Sequence, residues 1–496
     1  MGYIIGVDIG TGSIKALAVD ITGKVITSSQ ITYPTLNPQE ELCEQVPDTI
    51  WKAFVDSVKE IVTAQKTSPL GIAISSAMHS LILIGEGDQP ISNVITWADN
   101  RAKHIAERLK GSPVGDSIYR QTGTPIHAMS PLTKIIWFKE NQPEIFSKTK
   151  RFISIKEYIW YKLFNAYEAD YSIASATGLM DIISLRWNTQ ALALAGITET
   201  QLSKLIDTNH LRRGITKQLA GDLAIDESTP FMVGASDGCM ANLGSFAIEQ
   251  GIGALTIGTS GAVRVASSKP VYNYSAMTFN YRLDKDTFIC GGPTNNGGIV
   301  LKWYAESFLR KKLNTAEDYK ELLDEIKGIP IGADGLIFLP FILGERAPVW
   351  NSNASGVFFG IRNHHTQSHF TRAVLEGVSM ALYNIAESME NHGLQIDEIN
   401  ASGGFVRSTE WLKIMADIFG KKIRVVDAND ASALGAAYMA LKSLGHIKAY
   451  AELQSKTFKV IMPNLENFKY YQKQYKRYVN LYESLSAQMR ENINSN

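Results

Sequence analysis

Short apolar blocks recur along the chain, and they fall into the same order twice. Tyr3-Ile4-Ile5-Gly6-Val7-Asp8 reads as a buried strand, Ile9-Gly10-Thr11-Gly12-Ser13 interrupts it, and Lys15-Ala16-Leu17-Ala18-Val19-Asp20 resumes it. Half a chain later, Gly253-Ala254-Leu255-Thr256 leads into Ile257-Gly258-Thr259-Ser260-Gly261, and Ala262-Val263-Arg264-Val265-Ala266 follows. Each set reads as a hairpin with a Gly-Thr tip. Glycine lets another group approach the backbone closely, and free N–H and hydroxyl groups at such a tip can nest an anion. One such turn is an ordinary hairpin; two suggest a pair of domains that hold one polyphosphate.

The remaining pattern is α/β. Val25 to Tyr33 continues the first sheet, and Pro47-Asp48 opens a helix with Ile50, Phe54, Val58, Ile61 and Val62 on one face. Gly71-Ile72-Ala73-Ile74-Ser75-Ser76 is a fully apolar-facing strand of the parallel kind. Residues 130–220 read as mostly helical, with a turn near Asn141-Gln142-Pro143. In the second half, Gly291, Gly292, Gly297 and Gly298 precede a helix from about Ile299. A strand follows over Gly335–Phe341, then a long helix over 366–392, and a strand and turn at Ile399–Gly404 before a helix at 408–419. The expected division is 1–248 and 249–496. Leu465, Phe468, Tyr475, Tyr482, Leu485 and Met489 mark a terminal amphipathic helix that packs on the second half, with fraying expected over 491–496.

Composition narrows the partners. With 49 basic and 49 acidic residues in 496, no net field draws the chain to nucleic acid or anionic lipid. The 45% hydrophobic and 20% charged content is that of a globular protein. Three widely spaced cysteines, Cys43, Cys239 and Cys290, fit reduced thiols and a cytoplasmic location. The uncharged stretch from Leu70 to Gly85 falls short of the roughly 20 apolar residues a bilayer span needs. Neither a P-loop nor a dinucleotide fingerprint is present, since Lys15 stands where the third glycine of the latter would be. A small molecule is the expected partner, with any phosphate held by the paired hairpins.

Two longer segments carry a resemblance. Met129-Ser130-Pro131-Leu132-Thr133-Lys134-Ile135-Ile136-Trp137-Phe138-Lys139-Glu140-Asn141 is similar to the first signature of the FGGY carbohydrate kinases. Gly356-Val357-Phe358-Phe359-Gly360-Ile361, His369-Phe370 and Ala373-Val374-Leu375-Glu376 are similar to the second. The resemblance implies two actin-like (ribonuclease H-like) α/β domains with a ligand cleft between them, ATP and Mg²⁺ as cofactors, and a homodimer. Ser75–Ser80, Thr96–Arg101 and Thr122–His127 resemble the forms seen in members that phosphorylate gluconate, which implies a sugar acid as acceptor. The alternatives are a xylulose, ribulose or other polyol kinase, and a non-kinase ATPase of the actin-like superfamily.

That resemblance assigns roles to residues that chemistry alone leaves open. Asp237 is the candidate general base, or else a helix N-cap. Asp8 would hold Mg²⁺, or serve as a plain turn aspartate. Thr11, Gly12, Ser13, Gly258, Thr259 and Ser260 would meet the phosphates, and Lys15 would neutralise them or sit at the strand edge. Gly403, Gly404 and Phe405 form a turn suited to adenosine. For the acceptor the candidates are Met78, His79, Trp97, Asp99, Arg101, His127 and Asn296. Arg101 suits a carboxylate through its planar fork, and Trp97 either stacks on the sugar or fills the core. Lys134 and Trp137 are expected to serve the fold, and Ser432–Ala437 to provide close helix packing.

Overall fold

The computed structural model describes residues 2–39, 41–426, 430–453 and 457–491. Fraying expected beyond 491 therefore falls outside the described residues. By compactness the chain forms two units: Met1–Phe246 with Ser267–Cys290 and Asp430–Gln454, and the rest. The first crossing lies beside the expected 248/249 boundary, but two later segments return to the first unit.

In the first unit, β1 (Tyr3–Ile9) and β2 (Ser13–Asp20) form the expected antiparallel hairpin, with Ile9 opposite Ile14 and Asp8 opposite Lys15. β3 (Val25–Thr32) extends it, and β4 (Gly71–Ser76) lies parallel to β1 with Ser75 beside Asp8. With the short β5 (Leu211–Arg212) and β6 (Phe231–Met232), the order is β5-β6-β4-β1-β2-β3. Tyr3, Ile5, Val7 and Ile9 alternate toward one face, where Phe54, Val58 and Ile61 of the helix Pro47–Gln65 complete the core. Burying a Phe or Ile side chain in such a layer contributes about 1.5–3 kcal/mol each.

The second unit repeats the device. β7 (Gly251–Ile257) pairs antiparallel with β8 (Gly261–Ser267) and parallel with β10 (Ile396–Gly403), as β1 does with β2 and β4. With β9 (Phe288–Thr294), β11 (Lys422–Val426) and β12 (Thr457–Ile461), six strands of a seven-stranded sheet run β9-β8-β7-β10-β11-β12. The terminal helix Leu465–Glu491 packs within this unit. Tyr471 donates to Glu376 at 2.7 Å and Tyr475 to Glu387 at 2.7 Å, both acceptors on the helix Gln367–Glu390.

One expectation needs correction. Residues 130–220 are not simply helical, because short strands at Arg151–Ile153, Glu168–Asp170, Met180–Asp181, Arg186–Trp187 and Lys204–Ile206 punctuate the helices. Strands of two or three residues leave no readable period. The helix Ala431–Ser443 belongs to the first unit because it lies directly on Asp237–Gly244. A Cβ on Gly435 would fall 2.0 Å from the Met240 carbonyl oxygen, and one on Gly244 would fall 2.0 Å from that of Ala431. This is the close packing expected of Ser432–Ala437. Among the described residues no helix is long and apolar enough to cross a membrane.

Candidate active site

In the first unit, the end of β1 and the start of the helix Asp237–Gly244 bring Asp8 and Asp237 within electrostatic reach. Burial, and next the charge of Asp237, push the Asp8 carboxyl from its ordinary 3.8 up to about 7, against a 2.8 Å hydrogen bond from Ser75 Oγ and the charge of Lys15. Asp237 is not the N-cap, a place that Ser236 takes in extended conformation. It stands one residue inside, with its Oδ1 accepting from the Gly238 N–H at 2.7 Å and its carbonyl from Ser432 Oγ at 3.1 Å. Lys15 is paired with Asp430 at 2.6 Å. A carboxyl so raised gives up its proton when a cation arrives. Mg²⁺ keeps several waters and needs only one or two protein carboxylates, so this pair suits it. No cage of three or more His, Cys, Asp or Glu ligands occurs among the described residues.

The first hairpin tip is braced. The Gly10 N–H donates to the Ser13 carbonyl at 3.0 Å, the Tyr33 N–H to the Gly12 carbonyl at 3.2 Å, and the Gln45 amide to the Thr11 carbonyl. Gln30 donates to Ser13 Oγ at 3.2 Å. Trp97 Nε1 donates to Thr11 Oγ1 at 2.8 Å, which ties an acceptor candidate to the phosphate turn. Met78, Ala77 and Trp97 line one small hollow with Thr11 and Gln45.

The other acceptor candidates of this unit are held by protein partners. His79, at a left-handed φ of 64°, has Nδ1 2.7 Å from the Ala176 carbonyl and Nε2 3.1 Å from the Tyr281 hydroxyl. A histidine in that conformation marks strain that its surroundings must hold. Lys134 supplies the hold, donating to the carbonyls of His79 at 2.8 Å and Thr96 at 2.7 Å. Burial brings the Lys134 ammonium down to about 7. Arg101 directs its fork at Asp99, with Nε to Oδ1 at 2.7 Å and Nη2 to Oδ2 at 2.8 Å, and also reaches Glu44. Asp99 further accepts from the Cys43 N–H at 2.8 Å. His127 Nδ1 accepts from the Met129 N–H at 3.2 Å. A ligand carboxylate would therefore have to share Arg101 with an ion pair whose side chains are nearly buried.

In the second unit a cavity of about 1130 Å³ collects Gly258 and Thr259 from the second tip and Gly404 and Phe405 from the turn after β10, with Lys302 and Arg407 on its wall. Its size and mixed lining suit a nucleotide. Ser260 closes the tip, its carbonyl accepting from the Gly258 N–H at 2.9 Å. Gly403 is required where it stands, since φ is 101° and a Cβ would meet the Ile257 carbonyl at 2.2 Å. Asn296 belongs to this unit and is fully buried. Its amide donates to the Gly344 carbonyl at 2.6 Å and to Glu345 at 3.2 Å, and its Oδ1 accepts from the Leu343 N–H at 3.2 Å.

Sequence reasoning missed Asp430 and Tyr281 as neighbours of the site, and named Ser75 only within the stretch Ser75–Ser80. Lys134 serves the fold as expected, by holding the His79 and Thr96 carbonyls.

Comparison with known proteins adds a family. Residues 3–244 match the model of the N-terminal domain, and residues 253–444 that of the C-terminal domain, of the FGGY family of carbohydrate kinases. A gluconokinase of Bacillus licheniformis is 41% identical, over 97% of this chain and 96% of its own. A gluconate kinase structure from Lactobacillus acidophilus superposes with a TM-score of 0.94 at 34% identity, covering 99% of both chains. A ligand-bound xylulose kinase structure from the same organism also gives 0.94 at 34% identity, covering 99% of this chain and 100% of its own.

Proposed function

The chain belongs to the FGGY family of carbohydrate kinases, and we propose that it transfers the γ-phosphate of ATP to the terminal hydroxyl of D-gluconate, giving 6-phospho-D-gluconate. The likeness to a gluconokinase along nearly the whole of both chains carries the choice of acceptor. The acidic pair Asp8 and Asp237 supports the chemistry.

Phosphoryl transfer asks a protein for position, charge neutralisation and a group that takes the acceptor's proton. Asp237 is that group. Its carboxylate is oriented by the Gly238 N–H and accepts the proton as the hydroxyl oxygen attacks phosphorus and the bond to the ADP oxygen breaks. Asp8 would hold Mg²⁺, which when bound neutralises phosphate charge. Each unit offers phosphate-binding groups at its own tip: Thr11, Gly12 and Ser13 in the first, and Gly258, Thr259 and Ser260 in the second. Gly403, Gly404 and Phe405 seat the adenosine at the wall of the second unit's cavity. Met78, His79, Trp97 and His127 shape the acceptor site in the first unit, with Asp99 and Arg101 fixing its wall as an ion pair.

The second reading is a pentulose acceptor. The Arg101 fork, already engaged by Asp99 and Glu44, favours it, as does the likeness to a xylulose kinase structure. A cytoplasmic homodimer without nucleic-acid or membrane partners accompanies either reading. ADP formation measured with gluconate, xylulose, ribulose and glycerol in parallel tests the choice. Turnover with gluconate well above the others is expected. Turnover with xylulose or ribulose and none with gluconate would replace the acceptor. ADP release indifferent to every acceptor would replace the kinase reading with an ATPase.

A further inference from the structure

The two residues before Asp237 are both tied down by a short buried stretch that plays no part in the chemistry above. Lys156 Nζ donates to the Ala235 carbonyl at 3.1 Å and pairs with Asp170 Oδ2 at 2.8 Å. Both side chains are almost wholly buried, at 2% and 1% exposure. Asp170 Oδ1 accepts from the N–H groups of Ser172 and Ile173 at 3.0 Å each. Ser172 Oγ in turn accepts from the Ser236 N–H at 3.0 Å and donates to Ser236 Oγ at 2.9 Å. Ala235 and Ser236 are thus gripped from one side by Lys156, Asp170 and Ser172, and Ser236 is bridged to Ser76 at the end of β4 on another.

A buried ion pair is a poor way to gain stability, because desolvation costs about as much as the attraction returns and an apolar pair would serve as well. What an apolar pair cannot do is hold a carbonyl and an N–H at set positions. We propose that Lys156, Asp170 and Ser172 are positioning residues for Asp237. They fix the backbone from Ala235 to Ser236, so that the Asp237 carboxylate stands where the acceptor hydroxyl arrives. The proposal rests on Asp237 being the general base. A misplacement of about 1 Å in a catalytic group lowers turnover by on the order of 10²-fold.

The test uses the full-length protein and four variants: Ser172→Ala, Lys156→Met, Asp237→Asn and Ser172→Ala/Asp237→Asn. Ser172→Ala leaves the Lys156–Asp170 pair intact, so it reads position even if Lys156→Met fails to fold. The expected result is a fall of about 10- to 100-fold in gluconate-dependent kcat for Ser172→Ala, with KM for ATP within about twofold of wild type. The double variant should be no slower than Asp237→Asn alone. Wild-type kcat in Ser172→Ala beside a crippled Asp237→Asn overturns the positioning role and leaves the base reading standing. So do losses that multiply in the double variant, because they show Ser172 acting independently of Asp237. Near wild-type turnover in Asp237→Asn sinks the base reading itself.

Discussion

Asp8 and Asp237 form a mutually opposed carboxylate pair, in which burial and then the charge of Asp237 lift the Asp8 carboxyl to about 7. Without a cation, therefore, the pair is only partly ionised at neutral pH, and a divalent ion displaces the proton of Asp8. Mg²⁺ affinity should rise as pH climbs from 6 to 8, with up to one proton released per ion bound. Titration calorimetry in buffers of different ionisation enthalpy counts that proton. Asp8→Asn should abolish the release and cut turnover at fixed Mg²⁺ by at least about tenfold.

The same shift has a consequence for stability. A carboxyl whose folded value is about 7 and whose ordinary value is 3.8 binds its proton more tightly in the folded state. Stability therefore falls as pH rises from about 4 to 7, by an amount on the order of a few kcal/mol. Asp8→Asn should remove this dependence and melt higher than wild type at pH 8 without metal. Equal melting temperatures at pH 5 and pH 8 in wild type and variant would contradict the shift.

Lys134 gives the opposite sign. Its folded value of about 7 lies below the usual 10.5, so the folded state is the poorer proton binder and stability rises as pH climbs from about 7 toward 10.5. Lys134→Met removes that dependence. It also leaves the His79 and Thr96 carbonyls without the donor, at about 1–3 kcal/mol for each buried group. Denaturant unfolding at pH 7 and pH 9.5 should show wild type gaining on the variant at the higher pH. The variant should also bind gluconate more weakly, because the strained His79 turn loses its anchor.

Arg101 separates a ligand group from a wall. Arg101→Met takes the cation away from Asp99 and from the less deeply placed Glu44, and breaking such a buried pair costs about 3–5 kcal/mol. The expected outcome is a large drop in melting temperature together with lost activity. A variant that melts like wild type and differs only in a raised KM for gluconate would return Arg101 to direct carboxylate recognition.

Gly403→Ala should act on the nucleotide alone. A Cβ there meets the Ile257 carbonyl at 2.2 Å and the backbone lies at φ 101°, so the turn must shift away from the cavity wall. KM for ATP should rise by about tenfold or more, with KM for gluconate little changed. Both constants can be read from one set of coupled assays.

The parts of the fold with a clean period were legible. The hairpins β1–β2 and β7–β8, the strand Gly71–Ser76 and the helix Gln367–Glu390 lie where hydrophobic spacing puts them. The return of Ser267–Cys290 and Asp430–Gln454 to the first unit was not legible, since contacts made far along the chain leave no local trace. At the site, sequence supplies candidate segments but not the pairings within them. The Arg101 fork reads as an open carboxylate clamp until Asp99, two residues away, and Glu44 are seen to fill it. Asn296 likewise reads as an open amide until Gly344 and Glu345 are seen to accept from it. A residue type states what a group can bind, and only the fold decides what it binds first.

Gluconate phosphorylation with Asp237 as base comes down to one comparison. The gluconate-dependent rate of ADP formation is compared in wild type and Asp237→Asn at saturating ATP and Mg²⁺, with the product identified by phosphorus NMR. Wild type should give 6-phosphogluconate, and the variant should be slower by about 10²- to 10⁴-fold with ATP binding retained. Undiminished 6-phosphogluconate formation by Asp237→Asn would remove Asp237 as the base, and no phosphorylated gluconate from wild type would remove gluconate as the acceptor.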